Sequence, residues 1–359
     1  MDSLEQLTVE KPIQKRSSAE ARLVIAGPCS AETEAQMFET ARQLQGTEIN
    51  YFRAGIWKPR TSPDSFAGVG EPGLAWLKAL RSEFGLATAI EVANARHVEL
   101  ALKYDVDLLW LGARTSVNPF TVQEIADAMR GVKRPVMVKN PINPDLDLWK
   151  GALERMLRAD VSKVIACHRG FNVYGKALYR NAPLWEIPIE LKRAYPELPL
   201  ICDPSHIGGK REYIEDISRK ALELGYEGLM VETHPNPEAA WSDAAQQLTP
   251  EAFQEMMARL RFRRHHTDNP SYTETVDQLR EAIDNIDEKL MQLLAERMQF
   301  AQEIGQLKQA NNIAFYQHNR WSGIIENVRN AAKALEVSED FAMKVFSLIH
   351  MESIDMQGE

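Results

Sequence analysis

Eight short apolar runs, each followed by a stretch of helical character, constrain this chain more than any other feature. They are Leu23 to Cys29, Asn50 to Trp57, Leu86 to Val92, Asp107 to Ala113, Pro135 to Lys139, Lys163 to Arg169, Pro199 to Ser205 and Gly228 to His234. Between most of them fit helices of about ten residues or more, such as Thr33 to Leu44, Gly73 to Phe84 and Glu124 to Gly131. Parallel strands need a crossover between them, so this alternation predicts parallel βα units. Eight units in about 250 residues predict a (β/α)8 TIM barrel, with functional groups where the strands end.

The strand ends carry Cys29, Lys58 and Arg60, Arg114, Lys139, Arg169, His206, and Glu232 with His234. Exposed basic residues are ordinarily only solvated surface. Here the five cations gather at strand ends in a chain of net charge -9, which suits phosphate and carboxylate ligands. Ligand-type side chains are densest between Pro199 and Asp243, where alternation puts Glu232 and His234 on one strand face. His, Glu and Asp from neighbouring strand ends make a divalent-cation site.

Charged residues at 26% and hydrophobic residues at 44% describe a globular protein with a real core. The net negative charge argues against nucleic acid and anionic membrane as partners. There is no run of eighteen apolar residues and no signal-peptide pattern at Met1, so a cytoplasmic location is expected. Cys29, Cys167 and Cys202 are too few for a disulfide framework; reduced thiols are expected, with Cys167 and Cys202 packed in the barrel.

Ala26-Gly-Pro-Cys29-Ser-Ala-Glu, Lys58-Pro-Arg60-Thr61-Ser62, Gly112-Ala-Arg114-Thr-Ser, Val138-Lys139-Asn, His168-Arg169-Gly, Cys202-Asp203-Pro-Ser-His206 and the run from Met230 through Glu232 to Asp243 follow one another in order. Over residues 20 to 264 this series resembles the 3-deoxy-D-arabino-heptulosonate 7-phosphate (DAHP) synthases, most of all the shorter type I enzymes of the β subfamily. The resemblance implies condensation of phosphoenolpyruvate with erythrose 4-phosphate, a divalent metal (Mn²⁺, Fe²⁺, Co²⁺ or Zn²⁺) and the ligand set Cys29, His206, Glu232 and Asp243. His234 then moves to a place beside the ligands or in the core. It further implies that Arg114, Lys139 and Arg169 hold phosphoenolpyruvate, that Arg60, Thr61 and Ser62 hold the aldose phosphate, that Lys58 donates the proton to the developing alkoxide, and that Asp203 serves the aldose or a metal-bound water. A 3-deoxy-octulosonate 8-phosphate synthase is the alternative in the same fold; that family typically has Asn where Arg60-Thr61-Ser62 begins.

Composition changes after Pro270: all 18 prolines lie at or before it, and only three of the 19 glycines lie beyond. We therefore expect a barrel over 1–264, a linker over 265–272 and an all-helical domain over 273–359. Apolar residues at 276, 279, 283, 286, 290, 293, 300, 304 and 307 keep the spacing of a heptad seam, which Arg297 interrupts. A seam Arg requires an acidic partner or an anionic ligand. Lys308 shares its face, whereas Arg280 is about 25 Å away along the axis, so only a second chain could bring Arg280 and Arg297 together.

Leu279-Arg280, Asp287-Glu-Lys-Leu, Leu294-Ala-Glu-Arg297, Lys308, Arg320, and Phe346 through Ser353 to Gln357 resemble the all-helical (AroQ-type) chorismate mutases. The resemblance implies an intertwined homodimer in which Arg280 of the partner chain, Arg297, Arg320 and Ser353 hold or frame the carboxylates of chorismate, while Lys308 and Gln357 reach its ether oxygen during rearrangement to prephenate. Trp321 stands where an acid that contacts the substrate hydroxyl is usual, and Gln317 where an Asp is usual. A bundle that only dimerises and senses is the alternative, against which the seam Arg297 argues. With some 20 residues before the first strand, feedback control by prephenate is expected to act through the bundle.

Overall fold

The computed structural model describes residues 22–58, 64, 66–175, 178–263 and 267–358, and the chain divides into two compact units, 1–265 and 266–359. In the first, β1 (Leu23–Gly27), β2 (Tyr51–Ala54), β3 (Thr88–Val92), β4 (Leu108–Leu111), β5 (Pro135–Lys139), β6 (Lys163–His168), β7 (Leu200–Cys202) and β8 (Gly228–Glu232) form a closed barrel in sequence order. Every neighbouring pair is parallel, and β8 closes on β1 with Gly27 opposite Glu232. The expected (β/α)8 barrel is therefore the observed one.

The outer shell contains α1 (Glu34–Gln43), α2 (Glu71–Phe84), α3 (Ala95–Lys103), α4 (Pro119–Ala128), α5 (Leu146–Arg158), α6 (Glu186–Ala194), the short α7 (Pro204–Gly208), α8 (Ile214–Glu223) and α9 (Pro250–Arg259). Their starts follow local chemistry: Thr33 accepts the Gln36 N–H at the head of α1, and Asp145 accepts that of Leu148 at the head of α5. The helix expected over Glu124 to Gly131 begins earlier. Asn118 accepts the amides of Phe120 and Thr121, and Pro119, whose missing N–H costs nothing in a first turn, follows it.

Strand alternation sorts the core into two layers. Val24, Ala26, Phe52, Ala54, Leu109, Leu111, Val136 and Val138 pack under the helices, whereas Ile25, Ala89, Leu108, Trp110, Met137, Ile165, Cys167, Ile201 and Met230 fill the barrel interior. Two positions further along the same inward parity lie Lys139, Arg169, Asp203 and Glu232, which places polar groups directly above the apolar plug. Cys167 and Cys202 are buried free thiols, as expected of packed residues.

The second unit consists of α10 (Pro270–Ala310), α11 (His318–Ala334) and α12 (Glu339–Gly358), with α12 packed on both of the others. At 41 residues α10 is about 60 Å long. Its buried residues are Ala301 and Gly305, while Leu279, Ile283, Ile286, Leu290, Leu293, Phe300, Ile304 and Leu307 stay 48–65% exposed within the chain. Among the described residues, no helix is long and apolar enough to cross a membrane.

Gly305 is where α10 and α12 touch most closely, since a Cβ there would lie 2.6 Å from the Gln357 backbone. Gly305→Ala should therefore cost about 1–3 kcal/mol through overpacking. Gly323→Ala, in α11 with nothing within 4 Å of the new methyl, should instead add up to about 1 kcal/mol through helix propensity. Urea titrations of the two variants should move in opposite directions.

Candidate active sites

At the mouth of the barrel one chain of polar contacts links nine side chains. Lys139 Nζ lies 2.6 Å from Asp203 Oδ2, and the same oxygen lies 2.8 Å from His206 Nδ1. His206 Nε2 is 3.8 Å from Glu232 Oε1, and Glu232 Oε2 accepts from Gln246 Nε2 at 2.7 Å. Arg180 donates to Gln246 Oε1 and to Asp243 Oδ1, both at 2.8 Å. The chain closes where the Cys29 thiol donates to Asp243 Oδ2 at 3.3 Å and the Lys58 ammonium to Cys29 Sγ at 2.8 Å.

Local geometry explains how the strand ends deliver these groups. Asp203 caps α7 by accepting the His206 amide at 3.1 Å, which winds the chain back so that His206 faces the aspartate. Asp243 sits at φ 48, a left-handed backbone that Asp tolerates better than most residues. Such an outlier is characteristic of functional sites. The loops are tied together by Ser30 Oγ against Ser242 Oγ at 2.5 Å and by the Cys29 amide donating to Gln247 Oε1 at 3.0 Å. Beneath the site the buried Arg53 lies over the Trp110 ring and 3.0 Å from Glu232 Oε1, and its Nε and Nη1 have no hydrogen-bond partner among the described residues.

Burial pushes the Cys29 thiol up to about 12, with the Glu232 carboxylate adding to it. Burial also works against ionised Glu232, but His206, Arg53 and Lys58 outweigh it and hold the carboxyl below its ordinary value. Asp203 is held well below its own by His206 and Lys139 despite burial. Burial lowers Arg169 to about 10, opposed by Asp203 and reinforced by Arg180 and Arg114. Cations crowded in this way are relieved by an anion.

The expected ligand set can be tested against this geometry. Donors about 2.0–2.3 Å from a tetrahedral metal lie about 3.3–3.8 Å from one another. Cys29 to Asp243 at 3.3 Å and His206 to Glu232 at 3.8 Å have that spacing, and thiolate, imidazole and carboxylate together suit a first-row divalent ion. As the side chains stand, no group of three or more such donors among the described residues is arranged to hold an ion. His234 is elsewhere: its Nε2 is 3.4 Å from Glu32 and its Nδ1 accepts the Asn236 amide. Arg114 is exposed on the loop after β4, and the expected aldose-phosphate residues Arg60, Thr61 and Ser62 lie outside the described residues. Sequence reasoning missed Arg53, Arg180 and Gln246. An Arg inside strand β2 was the available signal for the first; Arg180 lies in a loop and Gln246 in a single 3-10 turn, Ala244–Gln246, neither long enough to show a period.

In the helical unit, Arg297 donates to Ser353 Oγ, and Lys308 donates to Gln357 Oε1 at 2.8 Å and to the Phe315 carbonyl at 2.6 Å. Burial, joined by the charge of Arg320, lowers Arg297, and among the described residues no carboxylate forms an ion pair with it. Of the two alternatives for a seam Arg, the acidic partner is thus not found among the described residues. Arg280 is exposed and 3.4 Å from Asp277. His350, not foreseen, stacks on Trp321 with ring centroids 4.1 Å apart.

The model of the DAHP synthetase I family matches residues 8–265, and that of chorismate mutase type II matches 279–358. A phospho-2-dehydro-3-deoxyheptonate aldolase of Thermotoga maritima is 33% identical over 238 residues, 66% of this chain and 68% of that protein. A 2-dehydro-3-deoxyphosphooctonate aldolase of Campylobacter jejuni is 28% identical over 257 residues, 63% of this chain and 90% of that protein. The crystal structure of the Thermotoga maritima DAHP synthase superposes with a TM-score of 0.59 at 31% identity, covering 66% of this chain and 67% of that one. The chain belongs to the DAHP synthetase I family and carries, after its barrel, a chorismate mutase type II domain.

Proposed function

We propose that the barrel condenses phosphoenolpyruvate with erythrose 4-phosphate to DAHP and phosphate, that the helical domain rearranges chorismate to prephenate, and that prephenate restrains the barrel. The observation that carries the synthase reading is the spacing within two donor pairs at the barrel mouth, Cys29 with Asp243 and His206 with Glu232. A divalent ion held by these four residues supplies Lewis acidity toward the aldehyde oxygen. Lys58, against Cys29, is the proton donor to the oxygen that becomes the alkoxide. Lys139, Arg169 and Arg114 bind the phosphate and carboxylate of phosphoenolpyruvate, and Asp203 keeps Lys139 and His206 in register. C3 of phosphoenolpyruvate bonds to the aldehyde carbon, water adds to the cation left at C2 with loss of a proton, and the resulting phosphohemiketal collapses to the ketone as its C–O bond breaks and phosphate leaves with the remaining hydroxyl proton. Arg60, Thr61 and Ser62 receive the aldose phosphate. The family match and the 33% identical relative favour the four-carbon acceptor over the octulosonate alternative.

For the mutase, Arg297, Ser353, Lys308 and Gln357 form two donor pairs on facing helices, a framework for a dicarboxylate with an ether oxygen. The reaction needs a compact conformer and positive charge at the breaking ether, with no covalent step. The exposed stripe of α10 supports a homodimer in which Arg280 completes the partner's site together with Arg297 and Arg320. We place the barrel within 1–264, the linker at 265–272 and the mutase at 273–359, in a cytoplasmic protein. Prephenate bound in the bundle restrains the barrel through a difference in its affinity for two arrangements of the chain.

Chelation, or Cys29→Ser, should lower synthase turnover at least a hundredfold and spare the mutase, read in parallel assays of phosphoenolpyruvate and chorismate loss. Intact synthase activity after either treatment would show the ligand set to be wrong. Prephenate should inhibit the synthase at concentrations that fill the mutase site, and Arg297→Ala should remove this inhibition while lowering mutase kcat/KM about a hundredfold. Inhibition that survives in Arg297→Ala contradicts control through this site.

A further inference from the structure

The mutase site, as read above, supplies donors almost exclusively. Arg297 and Lys308 have no acceptor atoms. Gln357 Oε1 is occupied by Lys308, and Ser353 Oγ takes the Arg297 proton while donating to the Ile349 carbonyl. Chorismate, a dicarboxylate with an ether oxygen, carries one hydroxyl, and that O–H is its only donor. A site built from these four residues leaves the hydroxyl proton without a partner, which costs about 1–3 kcal/mol when water is excluded.

One acceptor is available. His350, Ser353 and Gln357 are spaced i, i+3 and i+7 on α12 and so share the face that meets Arg297 and Lys308. His350 Nε2 is buried and has no hydrogen-bond partner among the described residues. Its ring lies flat on the Trp321 indole of α11, 4.1 Å between centroids at 7° between planes, so its direction is set before any ligand arrives. Burial, with Arg297 and Lys308 nearby, lowers the imidazole below its ordinary value and keeps it neutral, able to accept at one nitrogen. Gln317, which with Trp321 departs from the mutase pattern, is exposed.

We propose that His350 Nε2 accepts the hydroxyl proton of the mutase substrate, and that Trp321, standing where an acid is usual, acts as the positioning residue for that imidazole. The inference rests on the mutase reading and assigns the contact that fixes which end of the dicarboxylate is which.

The test uses the full chain with two substrates: chorismate, and an analogue with hydrogen in place of the hydroxyl. His350→Phe keeps the ring on Trp321 and removes the acceptor. It should lower kcat/KM for chorismate about ten- to a hundredfold while leaving that for the analogue within about twofold, and His350→Gln should recover part of the loss. In the wild-type chain, the ¹⁵N resonance of Nε2 should move on binding a hydroxylated inhibitor and not its deoxy counterpart, a readout that needs no variant to fold. Equal losses on both substrates, or no loss on chorismate, overturn the assignment. A wild-type chain without mutase activity overturns the mutase reading instead, so the two failures are distinguishable.

Discussion

The Arg53–Glu232 ion pair is fully enclosed in the barrel, and the mouth above it depends on that pair. Removing two charges from water is costly, and losing one partner of such a pair costs about 3–5 kcal/mol because the other is left uncompensated. Glu232 is shared further by Gln246 and by His206, while Arg53 keeps two buried nitrogens unpartnered over Trp110. The carboxylate is therefore ionised and aimed before any ligand arrives. Lys139 at the end of β5 and Asp203 just after β7 repeat the device. An arrangement so expensive to assemble is weak evidence for stability and better evidence for function.

The electrostatics divide the mouth into two regions. On one side Cys29, His206, Glu232 and Asp243 provide soft and hard donors with three negative charges available once the thiol ionises. On the other, the charges of Arg180 and Arg114 add to burial in working against the ionised Arg169, which Asp203 supports. Arg180 joins them, since it binds Asp243 through Nη1 and also acts on Arg169. A cation and an anion bound side by side would each relieve the region built for it, and the protein field favours taking up both.

Much of this was legible in the sequence, and the reason is periodicity. All eight strands were found because an apolar run flanked by turn residues is local, and their C-terminal ends marked Lys139, Arg169 and Glu232 as groups of the barrel mouth. Resemblance added Asp243, which no period marks. What stayed hidden depends on distant loops or on a partner's ring: Arg180 and Gln246 meet Asp243 and Glu232 only after folding, and His350 gains its setting from Trp321 on another helix. The helix expected from Glu124 begins earlier because Asn118-Pro119 caps it, a signal set by two residues rather than by a period. For α10, the heptad pattern predicts a seam, and within one chain its apolar positions stay open to solvent.

The central claim is that Cys29, His206, Glu232 and Asp243 act as one ligand set, and metal-edge X-ray absorption of the Co²⁺-loaded chain measures it most directly. The account predicts a shell with one sulfur at about 2.3 Å and nitrogen or oxygen donors at about 2.0–2.2 Å, the sulfur disappearing in Cys29→Ser. A shell of oxygen and nitrogen alone in the wild-type chain would contradict it.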